Sequence, residues 1–436
     1  MRTAKRSIAI LTGAVLSVGF MAGCSDDKTE GSGDASATAT AAEETTEAAT
    51  EEATEPVTLR MLANVTPVLT EEWYQEWAQP WLDAHPNVTL EVDGPTAEGV
   101  EQQFQQEIAA QDVPDIISGG MGKTTASQLV DLSAYDWATG DIPGTTYNGD
   151  NGVIFGIAPA VQIQSLVYYN EDVWTAAGIT EQPKSLDEFT EALRAIKAYD
   201  SSIIPLLLSG EWTTQAEVNE MAVPSVMGST DQLAAIADGS LQVADSAYAP
   251  YFEAVETWVA EGLVSPDAAA ITYDDSLSMF STGEAATYVM GAWAVSTINE
   301  LNTTFTAKVM ETPTPEGTTG HAQYGNPAVG VYVPKDGANV DLALDLAKYL
   351  TTDTEAVTKA CVVEGNFAKG VTYESTPLGE EVNAIYGAAS GLVAVDTALP
   401  GFMDQVGVPV QSILTGDFTA AQALDELQSW VDQNRG

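Results

Sequence analysis

Histidine, cysteine, serine and paired carboxylates do most bond-breaking chemistry in proteins, and this chain is short of the first two. His85 and His321 are its only histidines, Cys24 and Cys361 its only cysteines. His85 precedes a proline between a helical and a strand-like segment, which suits a structural role. No spacing of His and Cys fits a metal site, and no G-x-S-x-G elbow occurs. Gly122-Lys123-Thr124 looks like the end of a phosphate loop, but Ile117 stands where that motif needs its first glycine. Acidic residues are so numerous that close pairs arise from composition alone, so they make no case for glycoside hydrolysis. The sequence therefore assigns no catalytic residue, no metal and no cofactor.

Side chains suited to non-covalent capture are better placed. Trp293 follows Gly291-Ala292 directly after the strand-like run Thr287–Met290. Trp212 lies in Ser209-Gly210-Glu211-Trp212-Thr213, again just past an apolar run, 203–208. Strand ends are where α/β sheets open into clefts. The turn Gly119-Gly120-Met121-Gly122 follows a third such run. Tyr324-Gly325-Asn326 lies in a glycine-punctuated loop, and Gln162, Gln164 and Gly365-Asn366-Phe367 add carboxamides. The two glycine loops serve equally well as ordinary turns. The other tryptophans read differently. Trp73, Trp77 and Trp81 recur every four residues and belong to a buried helical stripe. Trp258 and Trp430 also lie in helical patterns, and Trp137 and Trp174 read as structural.

Helix and strand signals alternate around these residues. Val57–Ala63 reads as a strand, Glu71–Ala84 as a helix and 87–92 as a second strand. Ser185-Leu186-Asp187-Glu188 and Thr419-Ala420-Ala421-Gln422 are capping boxes that open amphipathic helices. Strand-like runs recur at 203–208, Thr287–Met290 and 329–333. This alternation predicts an α/β architecture with mainly parallel sheets.

The ends and the charge bound the setting. Arg2, Lys5 and Arg6 precede an apolar run over 7–21, closed by Met21-Ala22-Gly23-Cys24. That is an export signal, too short for a membrane span. The cysteine after Ala-Gly resembles the bacterial lipoprotein signal, with Met21 where Leu is usual; an ordinary cleaved signal is the alternative. With Cys24 lipidated, Cys361 has no disulfide partner and reads as a small buried hydrophobe. Residues 25–56 contain no aromatic and no branched aliphatic residue, so they cannot offset their ordering entropy and read as a disordered tether. The chain has 63 acidic and 15 basic residues. Nucleic acid and anionic lipid surfaces are thereby disfavoured as partners.

Taken in order, several segments resemble the bacterial extracellular solute-binding proteins of sugar ABC importers, the family that includes maltose-binding protein. His85-Pro86-Asn87-Val88-Thr89-Leu90-Glu91-Val92 and Ala109-Ala110-Gln111-Asp112-Val113-Pro114-Asp115-Ile116 come first. Asn151-Gly152-Val153-Ile154-Phe155-Gly156-Ile157-Ala158-Pro159 and Leu166-Val167-Tyr168-Tyr169-Asn170-Glu171-Asp172-Val173-Trp174 follow. Phe280-Ser281-Thr282-Gly283-Glu284-Ala285-Ala286, Gly291-Ala292-Trp293 and Leu414-Thr415-Gly416-Asp417 continue the pattern. Gln111 stands where the family often has Gly, and Ser185-Leu186 where Thr-Trp is common.

The resemblance implies a two-lobed periplasmic-binding-protein-like α/β fold with a hinge and an interlobe ligand cleft. It implies a signal peptide over 1–23 and a tether over 24–56. One lobe would comprise 57–162 and 311–365, the other 163–310 and 366–436, with crossings near Gln162–Gln164, Met310–Thr312 and Gly365. The ligand would be a sugar, and the site residues Trp293, Trp212, Glu211, Met121, Gly120, Gln162, Gln164, Tyr324, Asn326 and Asn366. Aromatic faces would cover the sugar's C–H faces, and amides and carboxylates its hydroxyls. ABC transporter permease subunits would be the partners of a monomer held outside the cell through lipid on Cys24. A binding protein for a peptide, amino acid or polyamine, and a secreted carbohydrate-active enzyme, are the alternatives.

Overall fold

The computed structural model describes residues 55–95, 99–164, 166–210, 212–226, 232–301, 304–316, 323–388, 392–393, 399 and 401–435. Cys24 with the leader and tether, Glu211 and His321 fall outside them.

Alternation builds the first sheet. In β1 (Val57–Ala63) and β2 (Val88–Asp93) apolar side chains turn inward at every second position of much of their length, as the two-residue period of a strand requires. The two run parallel, Val57 beside Val88, and β3 (Ile116–Ser118) joins the other side of β1 at Met61. Parallel neighbours need a crossover, and the helix Glu71–Ala84 supplies it. Thr70 caps that helix by accepting from the Trp73 amide. Trp77 and Trp81 are buried along its inner stripe while Trp73 is half-buried. Both buried indoles donate to acceptors late in the chain, Trp77 to the Ala356 carbonyl and Trp81 to Asp345, each at 2.9 Å. Asp115 is structural: its carboxylate accepts the amides of Arg60 and Asn339 and ties β1 to the returning chain.

Six strands complete this sheet in the order β2-β1-β3-β11-β5-β4, with β4 at Thr145–Asn148, β5 at Ile154–Ala158 and β11 at Val331–Tyr332. A second sheet pairs β6 (Ala160–Ile163), β10 (Gln323–Ala328) and β12 (Leu392–Val393). A third pairs β7 (Leu166–Asn170) with β8 (Thr287–Met290) and β9 (Ala307–Glu311). Only the β1–β2, β1–β3 and β10–β12 pairings are parallel among the described ladders, which corrects the expectation of mainly parallel sheets. The chain from β4 to β5 is too short for a crossover, and β11 re-enters against the direction of β3 and β5. Two strand expectations shrink as well. Segment 203–208 touches sheets only through single bridges, because Pro205 interrupts it and gives no backbone donor. Val329 takes a positive φ of 53°, so the strand expected at 329–333 starts only at Val331.

Buried apolar residues fall into distinct cores. Leu59, Trp77, Ile116, Val331, Leu346, Val357 and Cys361 pack around the six-stranded sheet, with Phe104, Met121, Phe155 and Tyr332 beside them. Phe189, Trp258, Phe402 and Leu427 form a second large core, flanked by Tyr168, Phe280, Tyr288 and Ala292. The chain changes core between Ala160 and Ile163, between Met310 and Ala328, and finally between Tyr373 and Leu378, Phe367 touching the second side before Ala368, Val371 and Tyr373 return to the first. Cys361 is fully buried, and burial pushes its thiol up to about 12, so it packs as a small hydrophobe. Among the described residues no helix is long and apolar enough to cross a membrane.

Candidate functional site

Three aromatic side chains meet where β8 ends. Gly291 and Ala292 follow that strand, and Trp293 is the cap residue of the helix Ala294–Glu300. The turn is fixed from below, since the Tyr168 hydroxyl donates to the Gly291 carbonyl at 2.9 Å and the Ala292 amide to the Ile163 carbonyl at 2.8 Å. The Trp293 ring folds back over Gly291, and a Cβ there would overlap the indole. Glycine is therefore required because the ring itself occupies the space above it. Trp212 stands opposite with its ring centroid 6.3 Å away, and Tyr273 lies 5.0 Å from Trp212. Tyr273 opens the helix Tyr273–Ser281, capped by Thr272, and packs with Trp293 against the core of Tyr288 and Ala292. Trp212 is 48% exposed, an unusual display for an indole next to two other aromatic rings.

A buried acid lies below this group. The helix Thr354–Glu364 ends at Gly365, whose left-handed φ of 67° turns the chain sharply. Glu364 is only 7% exposed, and burial pushes its carboxyl up to about 7, with a hydrogen bond from Asn366 opposing. Two tyrosines sense its charge. Burial foremost holds the hydroxyls of Tyr74 and Tyr273 well above the usual range, and the charge of Glu364 adds to the rise in both. Tyr74 belongs to the first core and Tyr273 packs against the second. The Ser296 hydroxyl donates to the Val363 carbonyl at 2.5 Å and fastens the Trp293 helix to this turn. Asn366 is fully buried; its side-chain amide donates to the Ala360 carbonyl at 2.9 Å, while its Oδ1 has no partner among the described residues.

The first core contributes its strand ends. β1 and β3 finish side by side at Ala63 and Ser118, and the Tyr74 hydroxyl donates to the Asn64 carbonyl just beyond. Gly119 turns at φ 152°, with Val100 and Asn64 against the place a side chain would take. Gly120 is exposed with open space beside it. Met121, by contrast, is buried and packs with Phe104 and Phe155, so its side chain does not line a cleft here. Gln162 and Gln164 are both buried and bonded to each other at 3.0 Å. Asn326, opposite Gln162 on β10, is exposed, and Tyr324 enters as a backbone position on that strand, beside Val393.

The structure thus brings Trp212 and Trp293 together and places Asn366 at the turn below them. Tyr273, Tyr74 and Glu364 escaped sequence reasoning. Tyr273 carried a faint signal, as the residue following the Thr272 cap with Asp275 three positions on. Glu364 carried none, because a Glu before a helix-ending Gly is ordinary. Among the described residues no three His, Cys, Asp or Glu side chains gather as a metal site.

Comparison with known proteins gives a consistent picture. Residues 66–357 match the family model described as bacterial extracellular solute-binding protein. The diacetylchitobiose binding protein DasA of Streptomyces coelicolor is 28% identical over 123 residues, 26% of this chain and 28% of that protein's length. A solved chitin oligosaccharide binding protein superposes with a TM-score of 0.75 at 22% identity, covering 87% of this chain and 99% of its own. The solute-binding protein RafE in complex with raffinose gives 0.70 at 17% identity, covering 87% and 100%. Maltose-bound MalE3 of T. maritima gives 0.67 at 16%, covering 86% and 99%. These likenesses establish the two-lobed α/β fold.

Proposed function

This chain belongs to the bacterial extracellular solute-binding proteins, and we propose that it captures a carbohydrate, an oligosaccharide in particular, between two lobes and delivers it to an ABC importer's permease. The observation that carries this reading is the exposed Trp212 beside Trp293 and Tyr273, above the buried Glu364. Indole faces cover the C–H faces of a pyranose, and a buried carboxyl held largely uncharged by its burial suits a neutral, hydroxyl-rich guest. The names of the matched relatives point the same way, since they are binding proteins for chitin-derived sugars, raffinose and maltose.

In this reading the lobes are 57–162 with 311–365 and 163–310 with 366–436; the first two boundaries are compatible with where the chain changes core, while Ala368, Val371 and Tyr373 still pack on the first core. Trp293 and Trp212 stack on the sugar. Gly120, Asn326, Gln162, Gln164, Asn366, Tyr324 and Glu211 offer polar or backbone contacts, and Met121 contributes only through its backbone. Cys24 carries lipid and holds the protein at the outer face of the membrane, with 24–56 as its tether. Binding without turnover is the whole of its activity.

A thermal-shift screen tests the ligand class. N,N′-diacetylchitobiose, longer chitin oligosaccharides, raffinose and maltose form one arm; dipeptides, amino acids and spermidine form the other. A ligand present at a hundred times its Kd adds about 2.7 kcal/mol. Stabilisation by at least one glycan, with the glycan recovered intact, is the expected result. Stabilisation by the second arm alone would replace the carbohydrate reading, and glycan cleavage would replace the binding protein with an enzyme.

A further inference from the structure

The loop that carries Trp212 is closed from behind by an acid with no ion pair among the described residues. Glu217 is fully buried, and its two oxygens accept from one residue, Ser209. The Ser209 amide donates to Oε2 at 2.7 Å and its hydroxyl to Oε1 at 2.5 Å. The same hydroxyl lies 2.9 Å from Thr213 Oγ1, and Thr213 in turn donates to the Gly210 carbonyl. Thr214 Oγ1 donates back to the Ser209 carbonyl at 2.7 Å. Ser209, Thr213 and Thr214 are completely buried, whereas Trp212, between them, is 48% exposed. On the other side the Gly210 amide donates to Ile271 at 2.9 Å, and a Cβ on Gly210 would run into the Ala269 backbone.

Burying a carboxyl without a cation is costly unless its hydrogen bonds repay the lost hydration. Among the described residues, the hydrogen bonds of that carboxyl go to Ser209, the first residue of the tryptophan loop. Glu217 also sits in a one-turn π-helix, Gln215–Asn219. Such turns admit an extra residue, shift the faces of the helix that follows, and recur at functional sites.

We propose that Glu217 is the positioning residue of the aromatic platform: by taking both hydrogens of Ser209 it locks the Ser209–Thr214 loop and presents Trp212 to Trp293 before any ligand arrives. The consequence for binding rests on the carbohydrate reading above; the consequence for the loop does not. Preorganisation of this kind raises affinity by removing the ordering cost from the binding step.

The test uses protein labelled with 5-fluorotryptophan and ¹⁹F NMR, with Trp212→Phe assigning the resonance. Glu217→Gln replaces one acceptor by an amide group facing a donor, and Ser209→Ala removes only the hydroxyl. Both should move or broaden the Trp212 signal in ligand-free protein while the Trp77 and Trp258 signals stay in place. Ser225→Ala breaks an unrelated buried pair with Tyr251 (2.9 Å) in the same core and should lower the melting point without moving Trp212. In titrations with N,N′-diacetylchitobiose, raffinose and maltose, Glu217→Gln should raise Kd about tenfold for whichever binds. An unchanged Trp212 signal in both loop variants overturns the proposal, as does an equal shift in Ser225→Ala. Should neither these three nor the longer chitin oligosaccharides bind wild-type protein, the carbohydrate reading fails while the NMR arm still decides the role of Glu217.

Discussion

Trp212 and Trp293 differ in what each has to lose. Trp212 is half exposed and touches Tyr273 and Trp293 only at ring-to-ring distance. Trp212→Ala should therefore weaken glycan binding by tenfold or more while the unfolding midpoint hardly moves. Trp293 is partly buried and packs, as Tyr273 does, against the core of Tyr288 and Ala292. Its alanine variant should lose both affinity, about thirtyfold for a stacked hot spot of about 2 kcal/mol, and stability. Trp77→Ala, deep in the other core, should cost about 3–5 kcal/mol of stability. Measuring Kd and melting on all three separates these roles, and equal Kd for Trp212→Ala and wild type would remove Trp212 from the site. Glu364 makes a second prediction at this scale. Its folded-state pKa of about 7 lies above that of an ordinary glutamate, so the folded protein holds the proton more tightly than the unfolded chain. Stability from this group is complete below about pH 4.5, falls as pH rises toward about 7, and is flat above that. The span is roughly 3 kcal/mol at about 1.4 kcal/mol per tenfold change in proton affinity. Surface acids held low by hydrogen bonds, such as Asp131, Asp200 and Glu261, slope the opposite way, so the comparison with Glu364→Gln isolates the effect. That variant should be more stable than wild type at pH 8 and should lose this part of the slope; an unchanged slope would place Glu364 in water.

At the scale of elements, the turns rather than the strands set the site. Gly291 has no positive φ to justify it; what it needs is room for the Trp293 ring. Gly291→Ala should push the indole off the turn and reproduce the Kd of Trp293→Ala, with intrinsic fluorescence reporting the displaced ring. Wild-type affinity in that variant would mean the ring has another resting place. The sequence made some elements plain and others not, for identifiable reasons. The boxes at Ser185–Glu188 and Thr419–Gln422 are local, and both form with their reciprocal bonds. The helix of Trp73, Trp77 and Trp81 was equally legible from its period, although Trp73 stays half-buried. Pairing direction was not, because β11 finds β3 and β5 only after the chain has visited the other core. Glu364 and Tyr273 escaped for the same reason: what makes them notable is each other, across a long stretch of chain.

For the whole molecule, the chain changes core in or beside β6, between β9 and β10, and in the stretch between Phe367 and Leu378 that follows the Glu364 turn. A two-lobed fold joined by such crossings closes by rotation about them, and a guest that contacts both lobes shifts the balance toward closure. Small-angle scattering should show a smaller radius of gyration at saturating glycan. The high acidic excess keeps the exported chain soluble but weakens its attraction for anionic guests, which again favours neutral sugars. The most direct test of carbohydrate capture is calorimetric titration of the wild-type protein and Trp212→Ala with N,N′-diacetylchitobiose, chitin oligosaccharides, raffinose and maltose. Saturable one-site binding of at least one glycan, weakened tenfold or more in the variant, is the predicted result. Heats from spermidine or a dipeptide, with none from any glycan, would contradict it.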